Sequence, residues 1–203
     1  MKLLSKTIKG YTFSELYNKT SRDKAKSSVL EIENPPEFFS EDLREMLFEV
    51  YGLRNLRTYF SLSFSQGDGL CLHGKITFSE LFENPKFKQI AFKGLHHRQV
   101  YSIYDQLYSI KFEHSGRYFY ANSVSMKSAV HDPTEKQAAI IGKVVCNIKK
   151  WYFSFCSDWE KRGYTYFYDI SDNDMECICS DSGYLFTEQG TIIDQKEYLE
   201  LSA

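Results

Sequence analysis

The sequence predicts an α+β fold, an antiparallel β-sheet of hairpins covered by a long amphipathic helix and two N-terminal helices. Two pairs of alternating segments, each joined by a turn that contains glycine, predict the sheet. An apolar stripe with spacings of three and four predicts the long helix. The chain has 203 residues and no linker-like tract, so we expect a single domain over residues 1–203.

The first helix is predicted over residues 12–29 from the signals at its ends. Thr12 or Ser14 supplies a hydroxyl that accepts from the free amides of the first turn, and Glu15 completes a capping box with Thr12. Pro35 ends the segment, because proline biases the preceding residue away from the helical conformation.

A second helix is predicted over residues 41–51, with Ser40 as its cap. Gly52 follows at the position where a left-handed residue commonly ends a helix. Residues 77–106 are polar and helix-prone, but they have no clear apolar period.

Two hairpins are predicted next. Residues 59–77 alternate between apolar and polar side chains on both sides of the turn at 65–69, where glycine supplies positive φ without steric cost. In the second hairpin, residues 114–116 join strands over 107–113 and 117–126.

The strongest helix signal covers residues 134–160 and follows a start signal at 132–135. The tyrosine-rich segment 164–168 either continues or breaks this helix. A short helix capped by Ser171 and a small hairpin over 184–193 complete the chain. The apolar stripe of the long helix consists of Ala138, Ile141, Val145, Ile148, Tyr152, Phe155 and Trp159.

The composition excludes several classes of protein. The net charge of −2 and the pI of about 6.2 argue against a large basic footprint for duplex nucleic acid. No apolar run approaches the length that spans a membrane, and residues 1–6 lack the apolar core of a signal peptide. Five irregularly spaced cysteines make no disulfide framework, so we expect a cytoplasmic protein, in a host cell if a phage encodes it.

The first candidate site is the polar part of the first hairpin. Gln66, Asp68 and His73 bring an amide, a carboxylate and an imidazole into one hairpin, which is the material of acid–base or metal chemistry. The alternative is that Asp68 satisfies turn amides and Gln66 stabilises the hairpin end. Turn chemistry is the commoner cause, so we favour the structural role and expect no catalytic residue.

A metal site is a second candidate. Cys177, Cys179, Cys146, Cys156 and His114 carry metal-binding side chains. On a helix, however, a single intervening residue points two thiols about 200° apart. We therefore expect these cysteines to be free and buried, with no metal and no cofactor.

A third candidate is a nucleic-acid site. Residues 86–98 form the most basic local stretch, and Tyr164, Tyr166 and Tyr168 could stack on bases. We favour a solvated face for the basic stretch, because interspersed surface charge is normal.

Several motifs follow one another in a recognisable order along the chain: Tyr11-Thr12-Phe13-Ser14-Glu15-Leu16, Lys24-Ala25-Lys26, 60–69, Ser115-Gly116-Arg117-Tyr118, 122–126, 164–168, Ser171-Asp172 and 184–190. With them the chain resembles a widespread family of phage and prophage proteins over nearly its whole length, most specifically at 65–69. Most members are uncharacterised, and some are labelled as antitoxins of toxin–antitoxin systems. Where relatives tend to have histidine, this chain has Tyr120.

The resemblance implies a phage-type accessory protein and no established catalytic residue. We therefore expect a non-enzymatic protein that binds a protein partner and neutralises or modulates a toxin or a host-defence factor, as an antitoxin or anti-defence inhibitor. We expect no membrane partner. The candidate binding residues are Gln66, Asp68, His73, Arg117, Tyr118, Tyr120, Tyr164, Tyr166 and Tyr168.

Two alternatives remain: a small hydrolase or nuclease-like enzyme that uses the first hairpin, and an RNA or single-strand nucleic-acid binding module. An enzyme should gather Asp68 and His73 in a concave pocket. A protein binder should have an exposed tyrosine-rich or apolar patch. A nucleic-acid module should have a basic stripe that crosses an aromatic one.

Overall fold

The structure is a computed structural model, and it describes residues 9–193. That range contains seven α-helices and a four-stranded antiparallel sheet, which confirms the α+β class. The chain contacts form two compact units, one of residues 37–163 and one that combines 9–36 with 164–193. The single domain over 1–203 stays a prediction, and the segment 1–6 lies outside the described residues.

The sheet belongs to the unit of residues 37–163. Its strands are β1 (Leu56–Ser61), β2 (Gly69–Thr77), β3 (Leu107–His114) and β4 (Val124–Val130), and they are neighbours in chain order. Each neighbouring pair is antiparallel, so both predicted hairpins are confirmed.

The second strand of the second hairpin begins later than predicted. The β3–β4 pairing starts where His114 lies opposite Val124, and residues 115–123 form a connection that ends in a 3₁₀ turn. Within this connection, the Ser115 amide donates to the carbonyl of Ser123 at 3.0 Å. The expected strand over 117–123 is therefore wrong, because these backbone groups hydrogen-bond inside the connection and not along the ladder.

The long helix α6 (Glu135–Tyr168) packs on one face of the sheet, where the rings of Tyr152 and Phe112 lie 5.5 Å apart. The helix continues through the tyrosine-rich segment, which decides the question left open by the sequence. The predicted stripe is buried at Ile141, Ile148, Tyr152, Phe155 and Trp159, whereas Ala138 is exposed and Val145 is half-buried.

The second helix, α2 (Pro36–Glu45), begins before the predicted cap and continues as a π-helical turn over Met46–Val50. Ser40 is therefore an interior residue of α2. The helix starts at Pro36, because the proline ring fixes φ at a helical value. Gly52 has φ +70°, as its predicted position after the helix requires. Phe39 of α2 packs against Phe60 of β1, with ring centroids 5.1 Å apart.

Three short helices fill the polar middle of the chain. They are α3 (Phe78–Glu83), α4 (Pro85–Ala91) and α5 (His97–Ser102). Thr77 and Asn84 cap the first two with side chains that accept backbone amides.

The other unit is built on α1 (Lys19–Glu33) and α7 (Asp172–Ser182). The helix predicted over 12–29 begins late, because Asn18 is its cap and the contacts of Thr12 with Glu15 close a separate turn. The short helix capped by Ser171 is confirmed. The buried core of this unit consists of Phe13, Leu16, Ala25, Val29, Leu30, Met175, Cys179 and Phe186.

The segment predicted as a terminal hairpin forms a minimal one, with an isolated bridge between Phe186 and Ile192. Phe186 also bridges to Tyr11. Over residues 9–193, no helix is both long enough and apolar enough to cross a membrane.

Candidate functional site

Asp68 is held by the serines of its own hairpin. Its carboxylate accepts from the Ser61 hydroxyl at 2.7 Å and from the amides of Ser63 and Ser65 at 2.6 and 2.7 Å. The hydroxyls of Ser63 and Ser65 donate to it as well. These hydrogen bonds hold the pKa of Asp68 far below its ordinary range, and the bond from the Ser65 amide has the largest effect. The carboxylate therefore stays ionised and organises the turn, which supports the structural role.

The two glycines of this turn allow close approach by the β3–β4 connection. Gly67 and Gly69 have φ +89° and +153°, a conformation that residues with a side chain rarely adopt. A Cβ on Gly67 would collide with the ring of Tyr118, and one on Gly69 would lie 2.9 Å from Cβ of Tyr120. The fold thus brings two of the candidate tyrosines onto the turn that carries Asp68.

His73 lies elsewhere on the hairpin. It is four residues along β2 from Gly69, which is about 13 Å of extended strand. Its Nδ1 accepts the amide of His114 at 3.3 Å. Asp68 and His73 are therefore not within reach of each other, and the geometry gives no acid–base pair.

An aromatic stack lies next to this hairpin, where Tyr59 of β1 meets the β3–β4 connection. It consists of Tyr59, Phe119 and His114, whose rings are within 30° of parallel and whose centroids lie 5.1 to 6.5 Å apart. Tyr59 is 36% exposed, so part of this residue is accessible from solvent. His114 is oriented by a hydrogen bond between its Nε2 and the carbonyl of Tyr118.

The remaining candidate residues do not join this region as a group. Gln66 and Arg117 are exposed, and the guanidinium of Arg117 lies 6.0 Å from the Tyr118 ring centroid. Tyr164, Tyr166 and Tyr168 belong to the other unit, at the end of α6. On a helix, Tyr166 points about 200° away from Tyr164, so the three tyrosines do not form one face.

Three lysines that sequence reasoning did not assign to a site lie side by side on the outer face of the sheet. This is the face opposite the one where Phe112 packs on α6. Lys75 of β2 is directly opposite Lys111 of β3, which is directly opposite Lys127 of β4. Adjacent strands lie about 4.8 Å apart, so this basic row is about 10 Å long. Alternation of charged with apolar residues along each strand was the available sequence signal.

One carboxylate partly neutralises the basic row. Glu113 forms an ion pair with Lys127. The hydrogen bond within this pair is the main cause of the lowered pKa of Glu113. Among the described residues, Lys75 and Lys111 have no carboxylate within ion-pair distance. Like charges directly opposite on neighbouring strands are destabilising, so this arrangement carries a cost in stability.

Arg57 extends the positive surface toward the aromatic stack. It is directly opposite His73, in the register row next to the basic row, and it is exposed. Arg57, His73, Lys75, Lys111 and Glu113 contribute to the lining of a shallow depression of about 530 Å³. A wide and polar depression of this kind suits an extended charged ligand better than a small buried substrate.

The sequence counts place the positive charge in the same unit. Residues 37–163 contain 17 lysines and arginines and 14 aspartates and glutamates, whereas the rest of the chain has 8 and 13. The overall charge of −2 therefore conceals a basic unit with a basic sheet face.

The basic stretch at 86–98 does not form a comparable patch. Two of its lysines lie over aromatic rings, Lys86 over Tyr51 and Lys88 over Phe82. The two histidines of this stretch lie at the start of α5. The His96 amide donates to Gln99, and the His97 ring lies 4.3 Å from the ring of Tyr101.

A second exposed surface consists of Tyr101 and Tyr104, at the end of α5 and just beyond it. These two residues, the tyrosine patch, are 51% and 53% exposed. Their rings rest on Phe82 and Phe78, which in turn stack on each other. The patch combines apolar area with hydroxyl groups, the composition typical of protein-binding surfaces.

The five cysteines differ in burial: three are buried and two are exposed. Cys71 and Cys156 are buried, and burial raises their pKa to about 11 and about 12, because the thiolate is desolvated. Cys179 is also buried. Cys146 and Cys177 are exposed, so the expectation that all were buried is wrong for these two. Cys177 is two residues from Cys179 and points to the opposite side of α7.

Within residues 9–193, no three or more His, Cys, Asp and Glu side chains are grouped so that they could hold a metal ion. Comparisons with protein-family models, with curated proteins and with solved structures found no match for this chain. The resemblance to phage proteins stays a prediction.

Proposed function

We propose that this chain is a non-enzymatic binding protein that contacts nucleic acid through the outer face of its sheet. The observation that carries the proposal is the basic row of Lys75, Lys111 and Lys127, with the partly exposed Tyr59 two register rows away. A basic stripe next to an aromatic platform is the pattern required of a nucleic-acid module.

The charge arrangement supports an anionic ligand. Neighbouring lysines repel one another in the free protein, and a phosphate backbone placed along the row relieves that repulsion while releasing counterions. Three to four contacts from the lysines and Arg57 correspond to a slope of about −2 to −3 in log K against log salt, at about 0.7 per contact on single strands. Affinity is therefore expected to fall steeply between low and physiological salt.

The hairpin chemistry supports binding over catalysis. Five donors from Ser61, Ser63 and Ser65 converge on the Asp68 carboxylate, and His73 lies about 13 Å along the strand. A hydrolase would need these groups around one reacting atom. The enzyme alternative therefore has less support than binding.

The test is fluorescence anisotropy with labelled RNA and DNA 20-mers of mixed sequence, over a range of salt concentrations. The variant Lys75→Gln/Lys111→Gln/Lys127→Gln should bind at least about tenfold more weakly at low salt and should lose most of the salt slope. Its matched control, Lys143→Gln/Lys150→Gln/Lys161→Gln, removes the same charge from exposed positions of α6. Equal losses in both variants, or no binding by the wild type, would refute the proposal.

A second candidate function is neutralisation of a toxin or host-defence protein, and the tyrosine patch favours it. Exposed tyrosines on a rigid aromatic base are common at the centre of protein interfaces. Tyr101→Ala/Tyr104→Ala should abolish capture of such a partner from host lysate and should leave nucleic-acid affinity unchanged. Capture that survives this change counts against the patch as the docking surface.

A further inference from the structure

We infer that the ligand of the outer sheet face is single-stranded nucleic acid, with an unpaired base stacked on Tyr59 and its phosphates along the basic row. This inference rests on the proposed function and adds the strandedness of the ligand and the residue that selects it. The shared chemistry is an unpaired nucleotide, so RNA and single-stranded DNA are separate arms of the test.

The geometry of the platform is the first step. Tyr59 lies on β1 opposite Cys71, and Cys71 is four residues along β2 from Lys75. The aromatic ring and the basic row are therefore about 13 Å apart along the strand direction, with Arg57 and His73 in the register row between them. A short extended strand of nucleic acid can contact both.

The stack itself is the second step. Phe119 lies nearly parallel to Tyr59, at an interplanar angle of 14° and a centroid distance of 5.5 Å, and His114 is stacked on both. The hydrogen bonds of His114 to His73 and Tyr118 fix this group. Tyr59 is thus held in place before any ligand arrives, and a base that adds to it costs little side-chain entropy.

Strandedness is the third step. In a duplex, each base is stacked between its neighbours, so an aromatic side chain can stack only on an unpaired or splayed base. The basic row and Tyr59 together span about 10 Å by 13 Å, which covers few phosphates of a duplex. A single strand can use both the charge and the ring.

The experiment measures anisotropy with a labelled RNA 12-mer, the matching DNA 12-mer and each of them annealed to its complement. Single strands should bind at least about tenfold more tightly than duplexes. Tyr59→Leu should weaken single-strand binding by about 5- to 150-fold, the range that corresponds to loss of one stacked base, and should leave duplex binding unchanged. Tyr59→Phe keeps the ring and should stay within about twofold of the wild type.

Two controls separate a lost contact from a lost fold. Tyr108→Leu changes an exposed tyrosine of β3 and should have no effect on affinity. Quenching of a 2-aminopurine placed in the oligonucleotide reports stacking with the wild-type protein, so the inference is testable even where a Tyr59 variant is unstable.

The outcomes separate the inference from the proposed function. The inference is overturned by equal affinity for single strands and duplexes, or by an unchanged affinity of Tyr59→Leu together with no quenching. In either case, loss of binding in the triple lysine variant still supports nucleic-acid binding. If no nucleic acid binds, and a protein partner instead depends on the three lysines, both the inference and the proposed function are overturned.

Discussion

Phe155→Ala should lower the free energy of unfolding by about 3–5 kcal/mol, the range for removing a buried aromatic side chain. Phe155 is 5% exposed, on the buried stripe of α6. Its ring is surrounded by Tyr51, Trp151 and Trp159, with centroids 6.0, 5.3 and 6.0 Å away. Aromatic pairs add about 0.5–1.5 kcal/mol each beyond buried area, which places the expected loss toward the upper end of the range.

Urea denaturation followed by far-UV circular dichroism measures this loss. Tryptophan fluorescence is a poor probe here, because Trp151 and Trp159 both contact the altered position. The control is Ser154→Ala, an adjacent exposed position on α6, which should change stability by less than about 0.5 kcal/mol. A loss below about 1 kcal/mol for Phe155→Ala, with an unchanged m value, contradicts the assignment of this stripe to the core.

Four further changes test the turn, a glycine of α6 and the cap of α1. Because the folded-state pKa of Asp68 is depressed, its contribution to stability is present above the unfolded pKa of about 3.9 and is lost as the pH falls. Asp68→Asn should therefore lower the thermal midpoint at pH 7, flatten its fall between about pH 5 and 3, and leave nucleic-acid binding near wild type. Lost binding with intact stability would assign this turn a functional role. Gly67→Ala should cost about 1–2 kcal/mol from its positive φ alone, whereas Gly142→Ala, in open space on α6, should stabilise by about 0.5–1 kcal/mol in the same denaturation assay. Asn18→Ala removes the side-chain cap of α1 and should cost about 1 kcal/mol, and an unchanged unfolding midpoint would contradict the observed start of that helix.

Local chemistry explains where sequence reasoning succeeded and where it failed. The cap at Ser171 and the turn at Asp68 depend on atoms within a few residues, and both were predictable. Half of the predicted capping box is present too, since the Glu15 carboxylate accepts the amide of Thr12, but these contacts close an isolated turn. Whether a capped turn continues as a helix depends on what its side chains pack against, and Phe13 is buried in the core of its unit.

The sequence alone determined the class of the fold, the two hairpins, the long helix and the structural role of the glycine turn. These features follow from periodicity and turn chemistry, which are local properties. The basic row was decided only by the tertiary structure. Lys75, Lys111 and Lys127 are ordinary exposed residues on three separate strands, and strand register makes them neighbours. The approach of Tyr118 to Gly67 likewise depends on the path of a connection that the sequence predicted as a strand. A surface made from residues far apart in the chain is defined by pairing and packing, which no local pattern encodes.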